Sequence, residues 1–115
     1  MKFYYFPGYG RGEPIRMALW KAGVQFERVD TDHEAVAKLR EEGKLPFGQV
    51  PALELDDGTV LAQGNAILNY VGNKYNLKPA DALAVYKGEA LSDLVWMDFV
   101  MKAYPKMMAS KEAED

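Results

Sequence analysis

Lys2-Phe3-Tyr4-Tyr5-Phe6-Pro7-Gly8 begins the stretch that decides the fold. An aromatic run stopped by Pro-Gly reads as a short buried strand. Gly8, Gly10 and Gly12 then make a flexible loop, and Pro14 stands where the first turn of a helix tolerates it. Ile15, Ala18, Leu19 and Ala22 follow at helical spacing, with Gly23 as the stop. From Val24 to Asp30 the residues alternate, which is the pattern of a second strand. Strand, helix and strand so close together predict a right-handed parallel crossover.

Working outward, Thr31 and Glu34 have the spacing of a capping box and open a second helix through Val36 and Leu39 to Gly43. Val50-Pro51 leads into Ala52-Leu53-Glu54-Leu55, and Asp56-Asp57-Gly58 turns the chain into Thr59-Val60-Leu61-Ala62, a hairpin. Gln63-Gly64-Asn65 starts a third helix carrying Ile67, Leu68, Val71 and Tyr75, which Asn76 and Pro79 end. The order βαβ-α-ββα describes an α/β domain: a mixed four-stranded sheet with helices on both faces. Residues 77–81 read as a linker. Residues 80–104 predict one longer helix with Leu83, Tyr86, Ala90, Leu94, Met97 and Met101 on one face, widened by Leu91 and Val95. Tyr104-Pro105 is expected to interrupt it, and Ala109 to Asp115 to form a polar tail.

Composition narrows the chemistry. With 115 residues and 49% hydrophobic content, the chain has material for one packed core. It contains no cysteine, which excludes disulfide scaffolds, thiolate zinc sites, iron–sulfur clusters and cysteine nucleophiles. A single histidine, His33, excludes a multi-histidine metal site; no metal is expected. The net charge of −3 lies wholly in residues 79–115, since residues 1–78 hold ten basic and ten acidic side chains. Such a balance does not suit nucleic acid, which needs a basic stripe. There is no apolar run long enough for a membrane span and no signal-peptide pattern at the N-terminus, so an intracellular protein is expected.

Gly8-x-Gly10-x-Gly12 does not have the spacing of a dinucleotide fingerprint, and no Walker lysine follows it. Pro51 is more informative. An apolar residue and a proline before a hairpin strand mark a sheet edge where an extended peptide can pair with the main chain. The start of the third helix lies beside it, with N–H groups and a dipole that favour a carboxylate. Around these elements fall Tyr5, Arg11, Arg40, Lys44, Gln49 and Gln63. A tyrosine at a strand end can donate its hydroxyl to a developing anion, and basic groups on the second helix can hold an anionic peptide. By residue type alone, the tyrosine is equally a core residue and those charges a solvated face.

Two runs carry a family resemblance. Tyr5-Phe6-Pro7-Gly8-Tyr9-Gly10-Arg11-Gly12-Glu13-Pro14-Ile15-Arg16 resembles the opening of cytosolic glutathione transferases of the tyrosine type. Phe47-Gly48-Gln49-Val50-Pro51-Ala52-Leu53-Glu54-Leu55-Asp56, followed by Gln63-Gly64-Asn65-Ala66-Ile67-Leu68-Asn69-Tyr70, resembles their glutathione-binding half. Lys38 to Gly43 and the helix ending Tyr75-Asn76-Leu77 are similar to the alpha class, whereas Tyr5-Phe6-Pro7 is closer to the pi and sigma classes. The strong resemblance covers residues 2–78, and a weaker one continues from Ala82 to Leu94.

The resemblance implies a thioredoxin-like glutathione-binding domain over residues 1–77. Residues 78–115 then hold a linker and the first helix of an incomplete all-helical domain, since the family runs to roughly 200 residues, as two compact units would. The uncovered apolar stripe of that helix is expected to meet a partner, as a homodimer or a larger assembly. The resemblance gives Tyr5 the role of stabilising the glutathione thiolate, with Arg11 supporting the site. Val50, before a cis Pro51, would pair with the cysteinyl unit. Gln63 and the Gly64 N–H would hold the γ-glutamyl carboxylate, with Gln49, Arg40 and Lys44 near the glycyl end. Asp93 would reach the γ-glutamyl amine of a neighbouring subunit, and Phe6, Tyr9 and Phe99 would line the electrophile pocket.

One departure stands out: the family usually has serine or threonine where this chain has Gly64. The expected activity is conjugation of glutathione to small electrophiles in the cytoplasm, with glutathione as co-substrate and no further cofactor. The rival expectation is a non-catalytic, transferase-like interaction subunit. A thiol–disulfide oxidoreductase on the same fold is excluded by the absence of cysteine.

Overall fold

Alternation in the first strand decides which side chains enter which layer. In the computed structural model, which describes residues 1–114, the strand β1 spans Lys2–Tyr5. Successive side chains point to opposite faces, so Phe3 and Tyr5 serve one layer and Tyr4 the other. Helix α1 (Glu13–Lys21) follows, then β2 (Glu27–Asp30), α2 (His33–Glu41), the hairpin β3 (Ala52–Glu54) and β4 (Val60–Ala62), and α3 (Gly64–Lys74). The sheet order is β2-β1-β3-β4, with β1 and β2 parallel and the other two pairings antiparallel. This is the mixed four-stranded, thioredoxin-like arrangement that the residue pattern and the resemblance predict.

Each face has its own core. Phe3 and Leu53 pack with Ile15 and Leu19 of α1 and Ile67 and Val71 of α3. On the opposite face Tyr4 and Ala52 pack with Val36 of α2 and with Leu45. Leu53 and Ala52 are neighbours in sequence yet belong to different cores, as strand geometry requires.

Several boundaries differ from expectation. The second strand starts only at Glu27, because the Val24 N–H turns back to the Leu19 carbonyl to close α1 around Gly23, whose φ is +71°. Asp32, not Thr31, caps α2: its carboxylate accepts from the Ala35 N–H at 2.7 Å. Asp32 sits one position nearer the helix, where its oxygen meets that free amide, while the Thr31 hydroxyl is buried without a partner.

Beyond Leu77 the chain forms a separate unit, beginning at Lys78. It contains α4 (Ala82–Asp93), a π-helical stretch (Leu94–Val100) and α5 (Met101–Glu114). The interruption expected at Tyr104-Pro105 does not occur: Pro105 lies inside α5, and helix replaces the expected polar tail as far as Glu114. Asp81 caps α4, accepting from the Ala84 N–H at 3.1 Å. Among the described residues, no helix is long and apolar enough to cross a membrane.

Candidate functional site

Tyr5 ends β1, and its hydroxyl lies over the loop that β1 feeds. The Arg11 backbone N–H donates to the Tyr5 Oη at 3.0 Å. An oxygen that already accepts from an amide keeps its own proton available for another acceptor. The ring stacks near Phe3 at 6.4 Å, meets Phe6 edge-on at 5.9 Å and faces the Arg16 guanidinium at 5.6 Å.

Arg16 is a residue that the motif reading passed over. It is only 8% exposed, donates from Nε to Glu13 at 3.1 Å, and donates from Nη2 to the Gly8 carbonyl. Its guanidinium therefore ties the loop between β1 and α1 to the helix. Glu13, three residues earlier on the same helix face, was the available signal.

The second wall of the site comes from the hairpin side. The Val50-Pro51 peptide bond is cis. Gln63 stands just before α3 with a φ of +72°, a backbone conformation that side chains other than glycine seldom adopt and that clusters at functional sites. Its Nε2 donates to the Gln49 Oε1 at 3.3 Å. At Gly64 a Cβ would lie 3.7 Å from Pro51 Cγ and 3.8 Å from the Arg11 carbonyl oxygen. These contacts bring Tyr5, Arg11, Gln49, Val50, Pro51, Gln63 and Gly64 together around the N-terminus of α3.

The other predicted positions separate. Arg40 donates from Nε to the Gly48 carbonyl, so it holds the loop that leads to Gln49. Lys44 is engaged elsewhere: its Nζ pairs with Glu54 at 3.1 Å and lies 5.5 Å from the Tyr4 ring. The Tyr4 hydroxyl donates to the same Glu54 carboxylate at 2.6 Å. That hydrogen bond, with the Lys44 ammonium, holds the Glu54 carboxyl below its usual value. Burial, then the neighbouring carboxylate, pushes the Tyr4 phenol up, and the Tyr4 and Glu54 hydrogen bonds push Lys44 up. Glu54 was missed because its partners are distant in sequence and only the fold joins them.

Phe6 packs with the α2-side core and lies 5.4 Å from the His33 ring, and Tyr9 is 87% exposed on the loop. Asp93 ends α4 in the second unit, and the Phe99 side chain lies outside the described residues.

Residues 1–73 match the family model described as glutathione S-transferase, N-terminal domain. The chain belongs to this family. Among curated relatives it is similar to human glutathione S-transferase A3, at 47% identity over 98 residues, covering 81% of this chain and 44% of that protein. It is likewise similar to mouse glutathione S-transferase A4, at 39% identity over 115 residues, covering 99% of this chain and 51% of that one. Among solved structures, a nematode-specific transferase of C. elegans matches with a TM-score of 0.83 and 34% identity, over 96% of this chain and 52% of that one. The chain thus spans about half the length of these members of the glutathione S-transferase family.

Proposed function

We propose that this chain is the glutathione-binding part of a glutathione transferase, in which Tyr5 favours the thiolate that attacks a small electrophile. The observation that carries the reading is the Tyr5 hydroxyl. It sits at the end of β1, accepts from the Arg11 N–H, and shares its surroundings with the cis Val50-Pro51 bond and the start of α3. An extended tripeptide laid along Val50 pairs its cysteinyl unit with that backbone. Its γ-glutamyl carboxylate then meets Gln63 and the free N–H groups of α3. Gln49 and Arg40 lie toward the glycyl end.

Chemically, Tyr5 donates its proton-bearing hydroxyl to the sulfur as negative charge develops there. A free thiol titrates near ~8.5, and each unit of lowering corresponds to about 1.4 kcal/mol. The conjugation forms a carbon–sulfur bond as the electrophile accepts the sulfur's electron pair, and the thiol proton leaves to solvent. In the whole protein, we assign residues 1–77 to this step. We assign Phe6 and Tyr9 of the first unit to contact with the electrophile. A dimer would bring Asp93 to the neighbouring γ-glutamyl amine, and the cytoplasm, where glutathione is abundant, suits the reaction.

Tyr5→Phe is the test. Bound glutathione should ionise at higher pH, read from thiolate absorbance, and turnover should fall by about 10²–10³, the usual loss for one anion-stabilising donor. Glutathione affinity should stay within about threefold. Unchanged titration together with unchanged turnover would sink the mechanism.

Gly64 favours a second reading, an interaction subunit on the same scaffold. It offers the ligand carboxylate no hydroxyl, and a hydrogen bond to a charged group contributes about 1.5–3 kcal/mol. Failure of the wild-type chain to bind immobilised glutathione would select this reading over the enzyme.

A further inference from the structure

Helix α2 and the segment after it form the most lightly anchored wall of the site. Val36 is the one buried side chain of α2, whereas α1 buries Ile15, Arg16 and Leu19. Residues 42–50, which carry Gln49 and Val50, bury only Leu45. Bonds inside this wall are local: the Gly48 N–H donates to the Leu45 carbonyl at 3.1 Å, and Arg40 donates to the Gly48 carbonyl. They shape the loop without fixing it to the sheet.

The sheet offers this wall an anion. Register places Glu54 opposite Lys2, on the face that carries Tyr4 and Ala52. A carboxylate beside an apolar core is unfavourable unless it is paired. Here the Tyr4 hydroxyl donates to it at 2.6 Å, and the Lys44 Nζ meets it at 3.1 Å. The same ammonium lies 5.5 Å from the centre of the Tyr4 ring. Lys44 is the only basic residue between Glu41 and Ala52.

We propose that Lys44 is a positioning residue for glutathione: seated on Glu54 and the Tyr4 ring, it pins the segment between α2 and β3 to the sheet, so that Gln49 and Val50 stand where the ligand meets them. Gln49 is five residues from this pin, and its Oε1 accepts from the Gln63 Nε2 across the site at 3.3 Å. A bond that long has little reach to spare if the segment moves outward. Grasping a ligand carboxylate directly would require Lys44 to leave Glu54 without its cation. The inference rests on the transferase reading for the ligand, though not for the pin.

The test measures glutathione binding to the full chain by calorimetry, together with amide hydrogen exchange. Lys44→Met keeps the apolar stem and removes the charge. It should weaken binding about 3- to 10-fold, the worth of a half-buried ion pair, and speed exchange of the Gly48 N–H by a similar factor. Exchange of the Ile67 N–H, bonded to the Gln63 carbonyl in α3, should not change. Lys44→Arg, whose guanidinium also pairs with a carboxylate and lies over a ring, should restore both. In conjugation assays the loss should appear in KM for glutathione, with kcat within about twofold.

Glu54→Gln separates positioning from direct contact. It should weaken binding as Lys44→Met does, and the double variant should be no worse than either single one. Were Lys44 a ligand contact, its release from Glu54 would strengthen binding instead. Stronger binding in Glu54→Gln, an additive double variant, or unchanged Gly48 exchange in Lys44→Met each overturns the proposal. Should Glu54→Gln not fold, exchange in Lys44→Met and Lys44→Arg decides the matter. Failure of wild type to bind glutathione overturns the transferase reading alone, since Gly48 exchange still shows whether the pin holds.

Discussion

The two units of this chain use apolar residues in opposite ways. In Met1–Leu77 the large apolar side chains Phe3, Ile15, Leu19, Leu53, Ile67 and Val71 are fully buried. In the unit beginning at Lys78, none of the described side chains is buried, and Leu83, Tyr86, Leu91, Leu94, Met97 and Tyr104 are all exposed. The difference lies in where hydrogen bonds come from. A strand gains its bonds only by pairing with distant residues, so building the sheet and burying its faces are one event. A helix closes its bonds locally and keeps its form with an apolar face unburied, although isolated helices below about 12–15 residues are marginal in water.

Four substitutions probe that contrast. Leu53→Ala should have the largest effect. It empties the centre of the α1–α3 core and should destabilise the first unit by about 2–5 kcal/mol in urea unfolding. A loss below about 1 kcal/mol would mean that this core is not cooperative. Gly64→Ser should come next, because it tests whether the first unit alone carries ligand affinity. The added Cβ meets only ordinary contacts. Glutathione binding measured by calorimetry should strengthen about tenfold or more if the hydroxyl reaches the ligand carboxylate.

Glu54→Gln should have a smaller effect, one that depends on pH. The folded protein holds the Glu54 carboxyl below its usual value, so its contribution is complete above the unfolded pKa, near ~4.3, and fades as pH falls through the lower folded value. The variant's Tm should therefore lie a few degrees below wild type at pH 7, with the gap closing toward pH 3. A gap independent of pH would assign the loss to packing. Leu91→Ala should change least, within about 0.5 kcal/mol, because Leu91 is exposed in α4. A loss comparable to that of Leu53→Ala would show that the exposed face is covered in solution, and sedimentation of the same sample would reveal the partner copy.

The order βαβ-α-ββα was legible because the aromatic run of Lys2–Phe6 stopped by Pro7-Gly8 and the three- and four-residue spacing from Ile15 to Ala22 are local patterns. Tyr5, Pro51 and Gln63 were legible as candidate site residues because each stands at a strand or helix end, where loops carry function. Lys44 illustrates the opposite. By residue type it is a ligand-binding cation in the loop just after α2. Only the register that places Glu54 beside Lys2, and so next to Tyr4, shows that its charge is already engaged. The Asp32 cap and the continuation of helix through Pro105 were missed because neighbouring residues offered equally good local alternatives, and only the realised geometry chose between them.

By itself, then, the sequence determined the order of strands and helices in the first unit, since these depend on interactions a few residues apart. The tertiary structure alone decided what those residues meet: the Glu54 carboxylate under Tyr4, the Arg16 guanidinium beside the Tyr5 ring, and that ring against Gly12. Such pairings depend on sheet register and on the way a loop folds back over a strand.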